Sequence, residues 1–334
     1  MSTRSAAICL SVIGCLGLIA PHHAGAQSGT PPATLQSPGL GLVTKPVRIV
    51  VPGPPGGPAG AISLLIANKL GKYINQTVIV DNRPGAGGNI AIEHVARSAP
   101  DGFTLFFGVP ALVTNPYFQK AHLDPSVLTP VIQLNTGAFL LLVNANSELK
   151  SLGDVVAKIK ASPGNVSCNS GAVALSTVSC HLLQSYAGPM LMVAYPGNAQ
   201  ALAALERNEI ALAFDFTSSA GARVKEGKLR ALAITSKTRN TGDFKDVPPI
   251  GETISGFELV GWQGIMAPKD TPRDIVLSLN AALNKVLQEE EVVAFTRNGN
   301  LEVAGGTPEA FGERIRHDYE FYGRITKEAK IEPQ

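Results

Sequence analysis

The segment Val47-Arg48-Ile49-Val50-Val51 is a short apolar run that passes straight into Pro52-Gly53-Pro54-Pro55-Gly56-Gly57. A helical pattern starts near Ala59, with Ile62, Leu65, Ile66, Leu70 and Tyr73 on one face. A loop at the carboxyl end of a strand, opening a helix, aims several unpaired N–H groups at one point. Gly56 and Gly57 allow the backbone to approach a ligand closely. The prolines stiffen the loop and add no N–H of their own. Such a loop suits a small anion, a carboxylate or a phosphate, held by main chain.

The same order of short apolar run and helical segment recurs along the chain. Further strand candidates are Thr77–Asp81, Thr104–Gly108, Phe139–Val143, Val166–Asn169, Met192–Ala194, Ile210–Asp215 and Leu229–Thr235. They are short and continuously apolar, as strands covered on both faces are. Ser151 and Asp154 are spaced as a capping box. Thr271-Pro272 and Thr307-Pro308 each read as an N-cap followed by proline at the first helical position. The alternation predicts an α/β fold with mostly parallel sheets flanked by helices, and the number of strands predicts two sheets. In such folds ligands bind beyond the carboxyl ends of strands. Three further loops lie there: Asn82 to Asn89, Cys168 to Val173, and Asp215 to Ser219.

The first 26 residues have the order of a cleavable secretory signal: Arg4, an apolar stretch from Ala6 to Ala20, and Ala24-Gly25-Ala26 before Gln27. Residues 27–44 are rich in Ser, Pro, Gly and Thr and read as a flexible tether. No later segment is long and apolar enough to cross a bilayer. An exported protein is expected, placed in the periplasm of a Gram-negative cell. The formal net charge is +2, of which Arg4 carries one unit, leaving +2 − 1 = +1 after signal removal. That is too little to favour nucleic acid or anionic lipid.

The ordered set of local sequences resembles the substrate-binding proteins of tripartite tricarboxylate transporters, the Bug family. The markers are Pro54-Pro55-Gly56-Gly57, Asn82-Arg83-Pro84-Gly85-Ala86-Gly87-Gly88-Asn89, Ala99-Pro100-Asp101-Gly102, Tyr195-Pro196-Gly197, Phe214-Asp215, Gly227-Lys228-Leu229-Arg230, Ala267-Pro268 and Gly305-Gly306-Thr307-Pro308. The resemblance implies a two-lobed, hinged periplasmic binding protein of the Venus-flytrap kind. One lobe would be 45–140 plus 254–334, the other 141–253, with a small carboxylate between them. The ligand set it implies is Pro55, Gly56, Gly57, Ala59 and Gly60 from the first loop, Ser170, Gly171, Ser176 and Thr177 from the second, and Tyr195, Gly197 and Asp215. Two departures stand out. Gly60 occupies the position where the family has an acid, and Pro58 removes one N–H. The segment from Ser170 to His181 is also longer than the family loop. Arg83 is expected to brace the Gly85–Gly88 turn.

The implied role is capture of the solute for inner-membrane transporter subunits, by a monomer without cofactor or catalysis. A ligand sensor that presents its closed form to a receptor kinase is an alternative. An exported hydrolase is a weaker one: no Gly-x-Ser-x-Gly occurs, and Cys180 beside His181 puts a nucleophile and a base on adjacent positions that rarely face each other. The run Gly85 to Ile90 is only a partial dinucleotide fingerprint, and His94, His122, His181 and His317 lack metal-ligand spacing. Cys168 and Cys180 flank the second loop. They are open to two readings, a disulfide or two buried thiols, and an oxidising compartment favours the first. Trp262 and Tyr195 would either stack on a ligand or fill the hinge.

Overall fold

The computed structural model describes residues 45–330 apart from 56–57, 121–122, 172–173 and 241. The expected signal (1–26) and tether (27–44), and Gly56 and Gly57, lie outside the described residues. β1 (Val47–Val51) leads to α1 (Pro58–Ile74), β2 (Val78–Asn82), α2 (Asn89–Ala96), β3 (Thr104–Gly108) and α3 (Ala111–Phe118). A 17-residue strand, β4 (Leu128–Asn144), comes next. It is followed by α4 (Leu152–Ala161), β5 (Ser167–Gly171), α5 (Ala174–Ala187), β6 (Leu191–Tyr195), α6 (Asn198–Glu206), β7 (Ala213–Phe216), α7 (Thr217–Lys225) and β8 (Leu229–Ile234). Then come β9 (Val260–Pro268), α8 (Arg273–Val286), α9 (Glu290–Asn298), β10 (Glu302–Val303) and α10 (Pro308–Glu328).

The helix starts follow their side chains. Ser151 Oγ accepts from the Asp154 N–H while the Asp154 carboxylate accepts from the Ser151 N–H, a complete capping box. Thr307 caps α10 ahead of Pro308. Thr271 does not cap α8: its hydroxyl donates to the Pro268 carbonyl at 2.7 Å, and the helix begins two residues later at Arg273.

One sheet runs β10-β4-β9-β3-β1-β2, and the second half of β4 pairs with β7 and β8. β1 is parallel to β2 and β3, whereas β9, β10, β7 and β8 all pair antiparallel. The sheets are therefore mixed; among the described residues parallel pairing is kept to β1–β2, β1–β3 and β5–β6 and to single bridges from Cys168 to Leu212 and from Ile234 to Pro249. α1 and α8 cover one face of the first sheet through Ile62, Ile66, Leu70, Leu279 and Leu283. The other face belongs to a larger core. It runs from Val50 and Phe106 through Phe139, Leu141 and Trp262 to Phe214, Leu175 and Leu183.

Two stretches depart from the expected strands. β4 begins eleven residues before Phe139, and β9 was not expected at all. Both carry glycine and polar residues that break the apolar run. Pro130 sits at a register shift in β4, where a strand tolerates proline. Asn135 faces Gln263 across the ladder and donates to its Oε1 at 2.9 Å, which satisfies the buried Asn135 amide in part. A Cβ at Gly264 would lie 2.3 Å from the Phe311 ring, so only glycine lets α10 pack there.

Trp262 fills the crossover. It is buried, meets Phe311 edge-on and donates its indole N–H to Asp318 at 2.8 Å. Asp318 also takes Arg314 Nε on both oxygens at 2.9 Å, and Arg314 donates to the Val260 carbonyl. α10 is thus fastened to β9. Trp262→Phe keeps the ring but removes the donor, and unfolding in urea should show a loss of about 1–3 kcal/mol. An unchanged midpoint would mean that the indole N–H bond contributes nothing.

Candidate functional site

Strand directions decide which ends meet. β9 runs antiparallel to β3, β4 antiparallel to β9, and β7 antiparallel to β4. β7 therefore points back toward the first sheet, while β1, β2 and β3 point toward β7. β5 and β6 run with β7: Asn169 Oδ1 accepts from the Phe214 N–H and its Nδ2 donates to the Phe214 carbonyl. The carboxyl ends of the two strand sets face each other. The helices that begin there are α1, α2 and α3 on one side and α5, α6 and α7 on the other.

On the first side Asn82, at the end of β2, donates to the Gly53 carbonyl at 2.9 Å and ties the Pro-Gly loop down. Ala59 and Gly60 are half-buried in the first turn of α1, and Pro55 is exposed. A Cβ at Gly60 would stand 3.6 Å from the Pro54 carbonyl, an ordinary contact, so a side chain fits there. The Gly85–Gly88 turn is held by Asn115, whose amide donates to the Gly87 carbonyl and to Asn89 Oδ1. Arg83 does not brace this turn. It joins Arg48 on the Asp81 carboxylate, at 3.0 and 3.2 Å. Both guanidiniums hold that carboxyl below its ordinary range against the opposing effect of burial. Asn115 is missing from the expected set; its place as the fifth residue of α3 carries no sequence signal of a brace.

On the facing side Ser170 and Gly171 end β5, and Tyr195 ends β6. Gly197 caps α6 in extended backbone. Ser176 and Thr177 fall in the first turn of α5, and the Ser176 N–H is among the donors that a helix start leaves without an intrahelical acceptor. Their side chains are buried, which corrects the expectation of loop hydroxyls. Ser176 Oγ has no hydrogen-bond partner among the described residues. Cys168 and Cys180 are joined in a disulfide that fastens the start of β5 to the middle of α5, with the second loop between them. This removes Cys180 as a nucleophile. His181 lies in mid-helix, half-buried, and burial lowers its pKa.

Asp215 is completely buried. Its Oδ1 accepts from Asn198 Nδ2 at the start of α6 and, at 2.8 Å, from the Phe216 N–H at the start of α7. It joins the two helix starts instead of standing open to solvent, and Oδ2 has no hydrogen-bond partner among the described residues. Burial raises its pKa to about 6, against weaker opposing effects of Ser219, the Phe216 N–H and Asn198. Among the described residues no group of three His, Cys, Asp or Glu side chains is placed to hold a metal.

A two-sheet α/β molecule whose facing strand ends converge on helix N-termini has the architecture of a periplasmic solute-binding protein. Solved structures agree. One is the periplasmic binding protein BugD (TM-score 0.71, 26% identity, 86% of this chain and 99% of that one). Another is Rpa4515 of R. palustris with adipate (0.76, 28%, 88% and 100%). A third is MatC of Rhodopseudomonas palustris with bound malate (0.68, 28%, 84% and 98%). Among curated proteins, BugT of Bordetella pertussis is 31% identical over 295 residues, 85% of this chain and 89% of its own. The model of the tripartite tricarboxylate transporter family receptor matches residues 62–331. The chain belongs to that family, whose members are solute-binding receptors.

Two predictions follow from the second side of the site. Because folding raises the Asp215 pKa, the native state holds a proton that the unfolded chain releases near pH 4, and stability falls as pH rises from there through about 6. The cost above that window is about 3 kcal/mol. Asp215→Asn should flatten the pH dependence of unfolding between pH 4 and 7; an unaltered slope would assign it to other groups. Replacing Cys168 and Cys180 together by serine should cost about 2–3 kcal/mol, the value for closing a loop of this size. A double variant as stable as the parent would show that the bond does not constrain the chain.

Proposed function

We propose that the protein captures a small carboxylate between its two facing sets of strand ends and delivers it to inner-membrane transporter subunits. The observation that carries this reading is the convergence of helix N-termini with no free side-chain cation beside them among the described residues. α1 and α5, with 17 and 14 residues, are long enough to present effective positive ends. Arg48 and Arg83 are both committed to Asp81. Anion binding then falls to N–H groups around Pro55, Gly56, Gly57, Ala59 and Gly60, and around Ser170, Gly171, Ser176 and Thr177. Tyr195 and Gly197 complete the far wall, and Asp215 holds it in place. The bound adipate of Rpa4515 and malate of MatC support the choice of a carboxylate.

In this reading the chain is exported by cleavage after residue 26, works in the periplasm as a monomer, and acts by binding, without catalysis. Its lobes are 45–140 with 254–334, and 141–253, and they close on the solute. Closure would gain contacts that the open form lacks, and affinity comes from that difference. A thermal-shift screen of the exported protein against carboxylates, with amines and amides as controls, tests the reading. A ligand at about 1,000 times its Kd adds roughly 4 kcal/mol and raises Tm by several degrees. Stabilisation confined to carboxylates is expected. Stabilisation by amines or amides alone would overturn it.

A further inference from the structure

The ladder between β4 and β9 ends at Ala138–Val260, and the one between β4 and β7 starts at Phe139–Phe216. Just before that change of partner, Gly137 stands opposite Gly261. The Phe216 ring occupies the Gly261 position and touches Gly137, whose own Cβ position is taken by Leu301. A Cβ at Gly261 would lie 2.7 and 2.9 Å from Phe216 ring carbons and 3.5 Å from Leu175 Cδ2. A Cβ at Gly137 would lie 3.6 Å from the same ring and 2.6 Å from Leu301 Cδ2. Phe216 also packs on Phe139, with centroids 4.0 Å apart. It follows Asp215 directly and precedes Thr217, whose hydroxyl donates to the Asn300 carbonyl at 2.8 Å in a buried bond.

The site and the crossover are therefore joined at one point. Phe216 opens α7 and Leu175 lies in the first turn of α5, two of the three helix starts of the far wall. Leu301 and Asn300 belong to the chain that leads into β10 of the first sheet. Interiors are close-packed, and a rigid ring against bare backbone transmits a displacement of a few tenths of an ångström to whatever it touches. Two glycines opposite each other leave that seat free of side chains and free to twist.

We propose that Phe216, seated on the Gly137–Gly261 pair, is a positioning residue for solute capture: it sets the angle at which the two sheets meet and so couples the α5 and α7 helix starts to closure. The proposal rests on the reading of the chain as a solute-binding protein, but its first readout needs no solute. Spin labels on Ala99→Cys and Ala157→Cys, both exposed positions, one after α2 and one on α4, report the spacing of the two halves by pulsed EPR. The background carries Cys9→Ser and Cys15→Ser, with the Cys168–Cys180 disulfide kept.

Gly261→Ala is expected to shift the mean label distance by several ångströms and to weaken carboxylate binding by about tenfold, which is 1.4 kcal/mol. Adding Phe216→Leu to Gly261→Ala, which withdraws the ring from the new methyl, should return both to the parent values. Phe216→Ala introduces no clash and should broaden the distance distribution. Should Gly261→Ala fail to fold, the Phe216→Ala distribution and the recovery in the double variant decide the matter. Distances unchanged in Gly261→Ala and Phe216→Ala, or no recovery in the double variant, would overturn the proposal. If the parent binds none of the carboxylates while the distances move as stated, the solute-binding reading falls and the pivot stands.

Discussion

The antiparallel ladder between β4 and β9 is the constraint on which the rest of the structure depends. β4 pairs with β9 and β10 in its first half and with β7 and β8 in its second. The direction of each neighbouring strand follows from it, and so does the meeting of carboxyl ends from opposite sides. The ladder is built from residues that would weaken an ordinary strand. Asn135 donates an amide hydrogen bond to Gln263, and glycines stand at 137, 261 and 264. The Trp262–Asp318–Arg314 set secures it from behind by joining α10 to β9. Removing polar groups from such a position would favour apolar packing, but would give up the register that the amide pair specifies.

In the proposed reading the site depends on dipoles, because among the described residues the nearby charges are engaged elsewhere. Arg48 and Arg83 neutralise Asp81 on the flank of the first sheet, and Asp215 is buried between two helix starts. A carboxylate held by fixed N–H groups meets donors already oriented, with no long side chain to order on binding. Discrimination then comes from shape and from leaving buried donors without acceptors when the wrong solute enters. The disulfide between Cys168 and Cys180 adds to this order by fixing the strand and the helix on either side of the second loop.

Much of this was legible in the sequence where burial is simple. Val47–Val51 and Thr104–Gly108 appear as strands with the bounds their apolar runs indicate. The Ser151 capping box and the Thr307-Pro308 start are local chemistry and read directly. β9 was not legible, because its stability comes from pairing with a strand over a hundred residues away and not from its own pattern. Among candidate site residues, the glycine loops at 53–60 and the ends of β5 and β6 were placed by strand–helix order. Arg83 was read as bracing the Gly85–Gly88 turn and Asp215 as facing the site. Arg83 instead pairs with Asp81, two residues away, which the fold also brings to Arg48, and Asp215 is engaged by Asn198. Phe216 carried no sequence signal, since a phenylalanine after a buried acid looks like core. Its meaning depends on two glycines from distant strands.

The central claim is that a carboxylate is held by main-chain N–H groups at the facing helix starts. Amide chemical-shift mapping of the exported, isotope-labelled protein tests it most directly, with a carboxylate that stabilises the fold titrated to saturation. The account predicts that the largest shifts fall on amides of residues 53–60 and 169–177, with a second group at Gly197 and Asn198. Shifts centred elsewhere, or on lysine and arginine side chains with these amides unmoved, would contradict it.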